Sequence, residues 1–130
     1  MDNIYTIKIS YATGDSFGSE DTEQNIDEIN SSDLEMCKRN LIRIKEHYEY
    51  YKEMNDYSAF REGKSKKEIK EKYKNKDWFV EEYDFSLKLE IRPNAFIQFS
   101  AFWCGYFERL YFAEIVTTGN NDMKIIFNDH

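Results

Sequence analysis

The hydrophobic period of this chain changes twice along its length, and the order of those changes constrains the fold more than any other feature. From Ile4 to Ala12 it is two: Tyr5, Ile7, Ile9 and Tyr11 fall on one side and Thr6, Lys8 and Ser10 on the other, as in a half-buried strand. Thr13-Gly14-Asp15-Ser16-Phe17-Gly18 then reads as a turn or loop, and the acidic segment 19–30, with Ile26 and Ile29, as a short edge strand pairing back on the first. From Ser32 the period becomes helical. Ser32-Asp33-Leu34-Glu35 has the form of a capping box, and Leu34, Cys37, Leu41, Ile44, Tyr48 and Tyr51 form one apolar stripe running to about Asn55. The lysine-rich run 64–76 has Ile69 and Tyr73 at i, i+4, the spacing of a short amphipathic helix on the surface.

From Trp78 the period returns to two. Phe79, Glu81, Tyr83, Phe85, Leu87, Leu89 and Ile91 alternate against Glu82, Asp84, Lys88 and Glu90, and Arg92-Pro93-Asn94-Ala95 reads as a hairpin turn. Phe96 to Trp103 is apolar on both faces, which marks a central strand or an interface. Leu110–Thr117 and Met123–Phe127 are further strands around a turn at 118–121. Strands, then helices, then strands, with no internal repeat, predict one α+β domain over residues 1–130: an antiparallel sheet packed against one long and one shorter helix.

Ten Phe, ten Tyr and two Trp stand against one proline and five glycines, which excludes disorder for most of the chain. Net charge is −7, so long nucleic acid is not an expected partner. The charge is unevenly spread: residues 1–35 carry nine acids against Lys8 alone, residues 36–76 thirteen basic groups against seven acids, and residues 77–130 nine acids against four basic groups. Such a sandwich, with the two-faced strand 96–103, predicts a homo-oligomer. Cys37 and Cys104 are far apart with no CxxC, so free thiols and a cytoplasmic setting are expected, without disulfide, metal or cofactor. The start Met-Asp-Asn leads directly into a strand, so no signal peptide is expected, and no apolar run is long enough to span a membrane.

No catalytic motif emerges. His47 reads as a surface or boundary residue beside the helical stripe, and no nucleophile elbow or phosphate loop accompanies it. Segment 13–18 is at most a weak anion-binding turn. Aromatic side chains and arginines concentrate instead between residues 92 and 110. A purine needs flat faces and a phosphate needs the two parallel donors of a guanidinium. Phe99, Trp103 and Tyr106 are therefore candidates to stack on or wall a base, Arg92 and Arg109 to clamp phosphates, and Asn94 to read a polar edge.

Tyr11-Ala12-Thr13-Gly14-Asp15-Ser16-Phe17-Gly18, Asn40-Leu41-Ile42-Arg43-Ile44-Lys45-Glu46-His47-Tyr48 and Phe102-Trp103-Cys104-Gly105-Tyr106-Phe107-Glu108-Arg109-Leu110 together resemble the Thoeris anti-defence 1 family of small phage proteins, over about residues 4–118. The resemblance implies a non-enzymatic sponge that sequesters a cyclic ADP-ribose type of immune signal, with ligand held between subunits of a homo-oligomer. It would place a glycine-containing hairpin where this chain has Arg92-Pro93-Asn94-Ala95. The alternative expectation is a protein–protein inhibitor of a bacterial defence effector, anti-CRISPR-like or a DNA mimic, acting through an acidic strand edge around residues 15–30.

Overall fold

The first strand runs beyond the alternating stretch that announces it. The computed structural model describes residues 4–15, 18–54, 66–81, 86–101, 109–117 and 120–126, and in it β1 spans Tyr5–Asp15 and pairs antiparallel with β2, Gly18–Ser31. The segment expected to be a loop is therefore mostly ladder: Gly14 pairs with Ser19 and Asp15 with Gly18. The acidic segment is an edge strand, as expected, but a long one of 14 residues.

Helix α1 covers Leu34–Met54. Its cap differs from the expected box. Asp33, not Ser32, is the N-cap: its Oδ1 accepts the Met36 amide at 3.1 Å, while Ser31 Oγ accepts the amide of Asp33 at 3.0 Å. The helix buries two adjoining stripes rather than one. Of the expected one, Cys37, Leu41, Ile44 and Tyr48 are buried and the end members Leu34 and Tyr51 half-buried, and Met36, Asn40, Arg43, His47, Tyr50 and Met54 are buried beside it. Burial so wide around a helix means packing partners on more than one side. Tyr48 reaches β5, Asn40 and Arg43 reach β3, and His47 and Tyr50 pack on Trp78.

A short helix α2, Lys66–Tyr73, buries Ile69 and Tyr73 and leaves its lysines in water, as the i, i+4 spacing predicts. The segment after it is not the continuous strand that alternation from Trp78 suggests. Phe79 forms an antiparallel bridge with Leu87, and Lys88 N–H donates to the Trp78 carbonyl at 2.9 Å, so the chain reverses between them. Trp78 is fully buried among Tyr50, Tyr73 and Phe79. Alternation cannot distinguish one long strand from two short arms that fold onto each other.

Strand β3, Ser86–Arg92, and β4, Ala95–Ser100, form a two-stranded sheet of their own. The chain expected as one sheet thus holds two. The larger has the order β2-β1-β5-β6, with β5 at Arg109–Thr117 and β6 at Asn120–Ile126, all antiparallel. One core joins both sheets to α1: Ile7, Ile9 and Ile115 from the large sheet, Leu87, Leu89 and Phe99 from the small one, and Leu41 and Ile44 from the helix. This is an α+β architecture. Among the described residues no helix is long and apolar enough to cross a membrane.

Candidate functional site

A buried carboxylate organises the part of the small sheet that carries the first predicted site residues. Glu90, 3% exposed, lies in the middle of β3 on the face that should have met water by alternation. Its Oε1 accepts Arg39 Nε at 2.8 Å and lies 2.7 Å from Arg43 Nη2; its Oε2 accepts Arg39 Nη2 at 3.2 Å and the Asn94 amide at 3.4 Å. The hydrogen bond from Arg39, supported by Arg43 and the Asn94 amide, holds this carboxyl below the usual range despite burial. Arg43 is itself buried, with Asp77 on its Nε and Nη2, Asn40 Oδ1 on its Nη1, and its guanidinium 5.1 Å from the centre of the Phe96 ring.

Asn40 completes the anchor. Its Nδ2 donates to the Glu90 carbonyl at 2.9 Å and its Oδ1 accepts the Glu90 amide at 2.8 Å. A side-chain amide is here doing what a neighbouring strand would do: it seals both outward-facing backbone groups of an edge residue. The consequence is a β3–β4 turn fixed to a helix. Pro93 and Asn94 occupy its corners, and Asn94 has φ 63°, the left-handed value required at the third position of a type II turn and tolerated by asparagine.

Arg92 and Asn94 are brought together by this turn and are exposed there. No described carboxylate pairs with Arg92, whereas every other arginine whose side chain is described, Arg39 and Arg43, is occupied. Phe99, 8% exposed, packs with the core and offers no open stacking face; alternation puts it with Ile97 on the inward side of β4, and Phe96 is the ring turned outward, 39% exposed. Trp103 and Tyr106 lie outside the described residues, as does most of the aromatic run 102–108. Arg109 opens β5, opposite Ala12 in the large sheet. The Leu110 amide beside it donates to Tyr48 Oη at 3.2 Å, next to the register shift between Ser10 and Tyr11. The strands bearing Arg92 and Arg109 therefore dock on α1 at Asn40 and Tyr48, roughly 12 Å apart along the helix axis. They belong to different sheets.

Arg39, Ile42, Arg43, Glu46 and Asp77 line an open groove of about 140 Å³. That is smaller than the ~300 Å³ at which small-molecule pockets begin, and its guanidiniums are already neutralised. It is a seam of the anchor. His47 also differs from expectation: it is fully buried, edge-on to Trp78 at 5.3 Å, and burial pushes its imidazole down to about 3, so it stays neutral.

The residues that sequence reasoning missed share one signal. Asn40, Arg43 and His47 are polar side chains at i, i+3 and i+7, beside the apolar stripe of the helix, where a one-sided helix would expose them. The chain matches no protein-family model, no curated protein and no solved structure, so the fold and its site stand on these contacts alone.

Proposed function

We propose that the protein captures a small cyclic nucleotide of the cyclic ADP-ribose type without turning it over, as a phage-encoded sponge acting in the cytoplasm of a bacterial host and working as a homo-oligomer. The observation that carries this reading is the state of Arg92. It is an exposed guanidinium free of carboxylates among the described residues, held on a turn next to Glu90, which four hydrogen bonds with Arg39 and Asn40 fix to α1. A cation so placed and so rigidly mounted is ready to bind a phosphate with little ordering cost. Asn94 sits beside it to meet a polar edge, Arg109 supplies a second cation from the large sheet, Trp103 and Tyr106 supply ring faces, and Phe99 backs the hairpin from the core side. The sequence resemblance names the ligand class, and the saturation of Arg39 and Arg43 leaves no reason to assign them to it.

Isothermal titration with cyclic ADP-ribose isomers tests the reading. Binding is expected for one isomer, weakened by Arg92→Ala and by Arg109→Ala. Absence of heat with every isomer, or Arg109→Ala binding as tightly as the parent, removes it.

The second reading, an inhibitor of a defence effector, is favoured by one observation: Glu20, Asp21, Glu23, Asp27 and Glu28 are all exposed along the β2 edge. Those charges are spread over roughly 27 Å of strand, about one per 5 Å. Duplex DNA carries about one per 1.7 Å, so the edge is a dilute mimic, and charges of this kind also keep edge strands from pairing with other chains. Recovery of one stoichiometric host protein in a pull-down would favour the inhibitor.

A further inference from the structure

The β3–β4 hairpin has a face turned to solvent. Leu87, Leu89 and Phe99 point into the core, and Ile97 packs against it. Lys88, Phe96, Gln98 and Ser100 are exposed on the other side, and the register sets Lys88 opposite Gln98 and Glu90 opposite Phe96. A lone exposed ring on a protein surface calls for no explanation. Phe96 is set apart by what surrounds it. Among the described residues it is the only exposed aromatic ring. Arg43 backs it, with the guanidinium 5.1 Å from the ring centre, and Arg43 is itself buried and held by Asp77, Glu90 and Asn40. Glu90, the one carboxylate on this face of the two strands, is buried and taken up by Arg39 and Arg43. Lys88, two residues before it, and Arg92, two residues after it, are exposed and pair with no described carboxylate. Each cation therefore stands roughly 7 Å along β3 from the residue opposite the ring, about the span from base to phosphate within one nucleotide.

An exposed ring flanked by free cations on an open sheet face matches a nucleotide in shape and charge: the base stacks on the ring and the phosphates meet the cations. We propose that the solvent face of the β3–β4 hairpin is the platform of the ligand site, with Phe96 stacking on the base and Lys88 joining Arg92 in binding phosphate. The match is particular to this place. The β2 edge exposes five carboxylates and repels an anion. Helix α2 and the residues after it carry more lysines, but Tyr73 is buried there, and Lys72, Lys74 and Lys76 are paired with Glu53, Glu71 and Glu46. On the hairpin, the anchor to α1 fixes the backbone and Arg43 restrains the ring, so binding orders little that is not already ordered. The inference rests on the nucleotide reading and deepens it. Arg92 and Asn94 alone recognise a phosphate and a polar edge. A ring beside them separates a nucleotide from a sugar phosphate, because only the base has a flat face to stack. Phe96 thereby takes the stacking role that burial in the core denies to Phe99.

The test is calorimetry on the full-length chain with cyclic ADP-ribose isomers, linear ADP-ribose, AMP and ribose 5-phosphate, each at low and at raised salt. The parent should bind a base-bearing probe about tenfold or more tightly than ribose 5-phosphate. Phe96→Leu should weaken that binding roughly fivefold to a hundredfold, and Phe96→Tyr, which keeps a ring, should retain it. Lys88→Gln should weaken it several-fold and flatten its salt dependence. Ile4→Ala, which removes another exposed apolar side chain, should bind as the parent does. Thermal melting without ligand checks that each variant is folded. If Phe96→Leu or Lys88→Gln binds as tightly as the parent, or if Phe96→Tyr binds as weakly as Phe96→Leu, the platform is wrong while the sponge reading stands. If the parent binds linear ADP-ribose or AMP but no cyclic form, the sponge reading falls and the platform is judged on those probes with the same variants. If it binds none, both fall.

Discussion

Replacing Asn40 with alanine isolates the contact on which the position of the Arg92 turn depends. The substitution removes three hydrogen bonds at once: 2.9 Å to the Glu90 carbonyl, 2.8 Å from the Glu90 amide, and 3.2 Å from Arg43 Nη1. Alanine favours the helix more than asparagine does, by a few tenths of a kcal/mol, so helix propensity opposes the loss. The larger effect is on Glu90. Its amide and carbonyl stay buried beneath α1 with nothing to pair with, and each such group costs about 1–3 kcal/mol. The net loss should be about 2–5 kcal/mol, a large part of the ~5–15 kcal/mol available to a domain. At roughly 3 °C per kcal/mol for a chain of this size, Tm should drop by about 6–15 °C. Urea denaturation of Asn40→Ala against the parent measures the first quantity and thermal melting the second, with Ile42→Ala, an exposed neighbour, as the control expected to be near neutral. Native-state hydrogen exchange should show the Glu90 amide losing protection before the amides of β1. A loss under ~0.5 kcal/mol with Glu90 still protected would refute the reasoning, since the edge of β3 would then be sealed by something other than Asn40.

Two further outcomes follow from buried titratable groups. His47 is held neutral down to about pH 3 in the fold, whereas an unfolded chain protonates its histidines near pH 6.5. Its folded value is depressed, so the unfolded state takes up a proton first; stability falls as pH drops from about 6.5 towards 3, by about 2 kcal/mol at pH 5. His47→Phe should flatten that part of a urea-midpoint against pH profile, and an unchanged slope would show that His47 is not buried neutral. Burial pushes the Cys37 thiol up to about 11, so in a Cys104→Ser background the native protein should resist thiol reagents at pH 8 and react fully in denaturant. Rapid labelling of the native protein would contradict the placement of Cys37 at the sheet-facing side of α1.

Much of the fold was legible because each element kept one period for long enough to declare itself. Leu41, Ile44 and Tyr48 mark the helix, and Ile7 and Ile9 mark the strand against it. What was not legible has a common physical cause. Periodicity sees apolar side chains and assumes that polar ones meet water. Glu90 and Asn40 break that assumption by pairing with each other across 50 residues, and His47 does so by packing on Trp78. The reversal at Phe79 is invisible for a related reason: both arms alternate alike. Of the candidate site, the Arg92–Asn94 turn could be read from Pro93 and Asn94, and its setting on α1 could not. The density of rings around residue 99 makes Phe99 a ligand candidate by sequence, but register decides which rings face inward, and it turns Phe96 out and Phe99 in.

The central claim is capture without chemistry, and one measurement bears on it directly. The protein is purified from cells making cyclic ADP-ribose isomers, washed, denatured, and the released small molecule is weighed by mass spectrometry. The account predicts an intact cyclic nucleotide released in a fixed ratio to the chain, and its loss in Arg92→Ala. Release of a linear, hydrolysed product, or of no nucleotide at all, would contradict it.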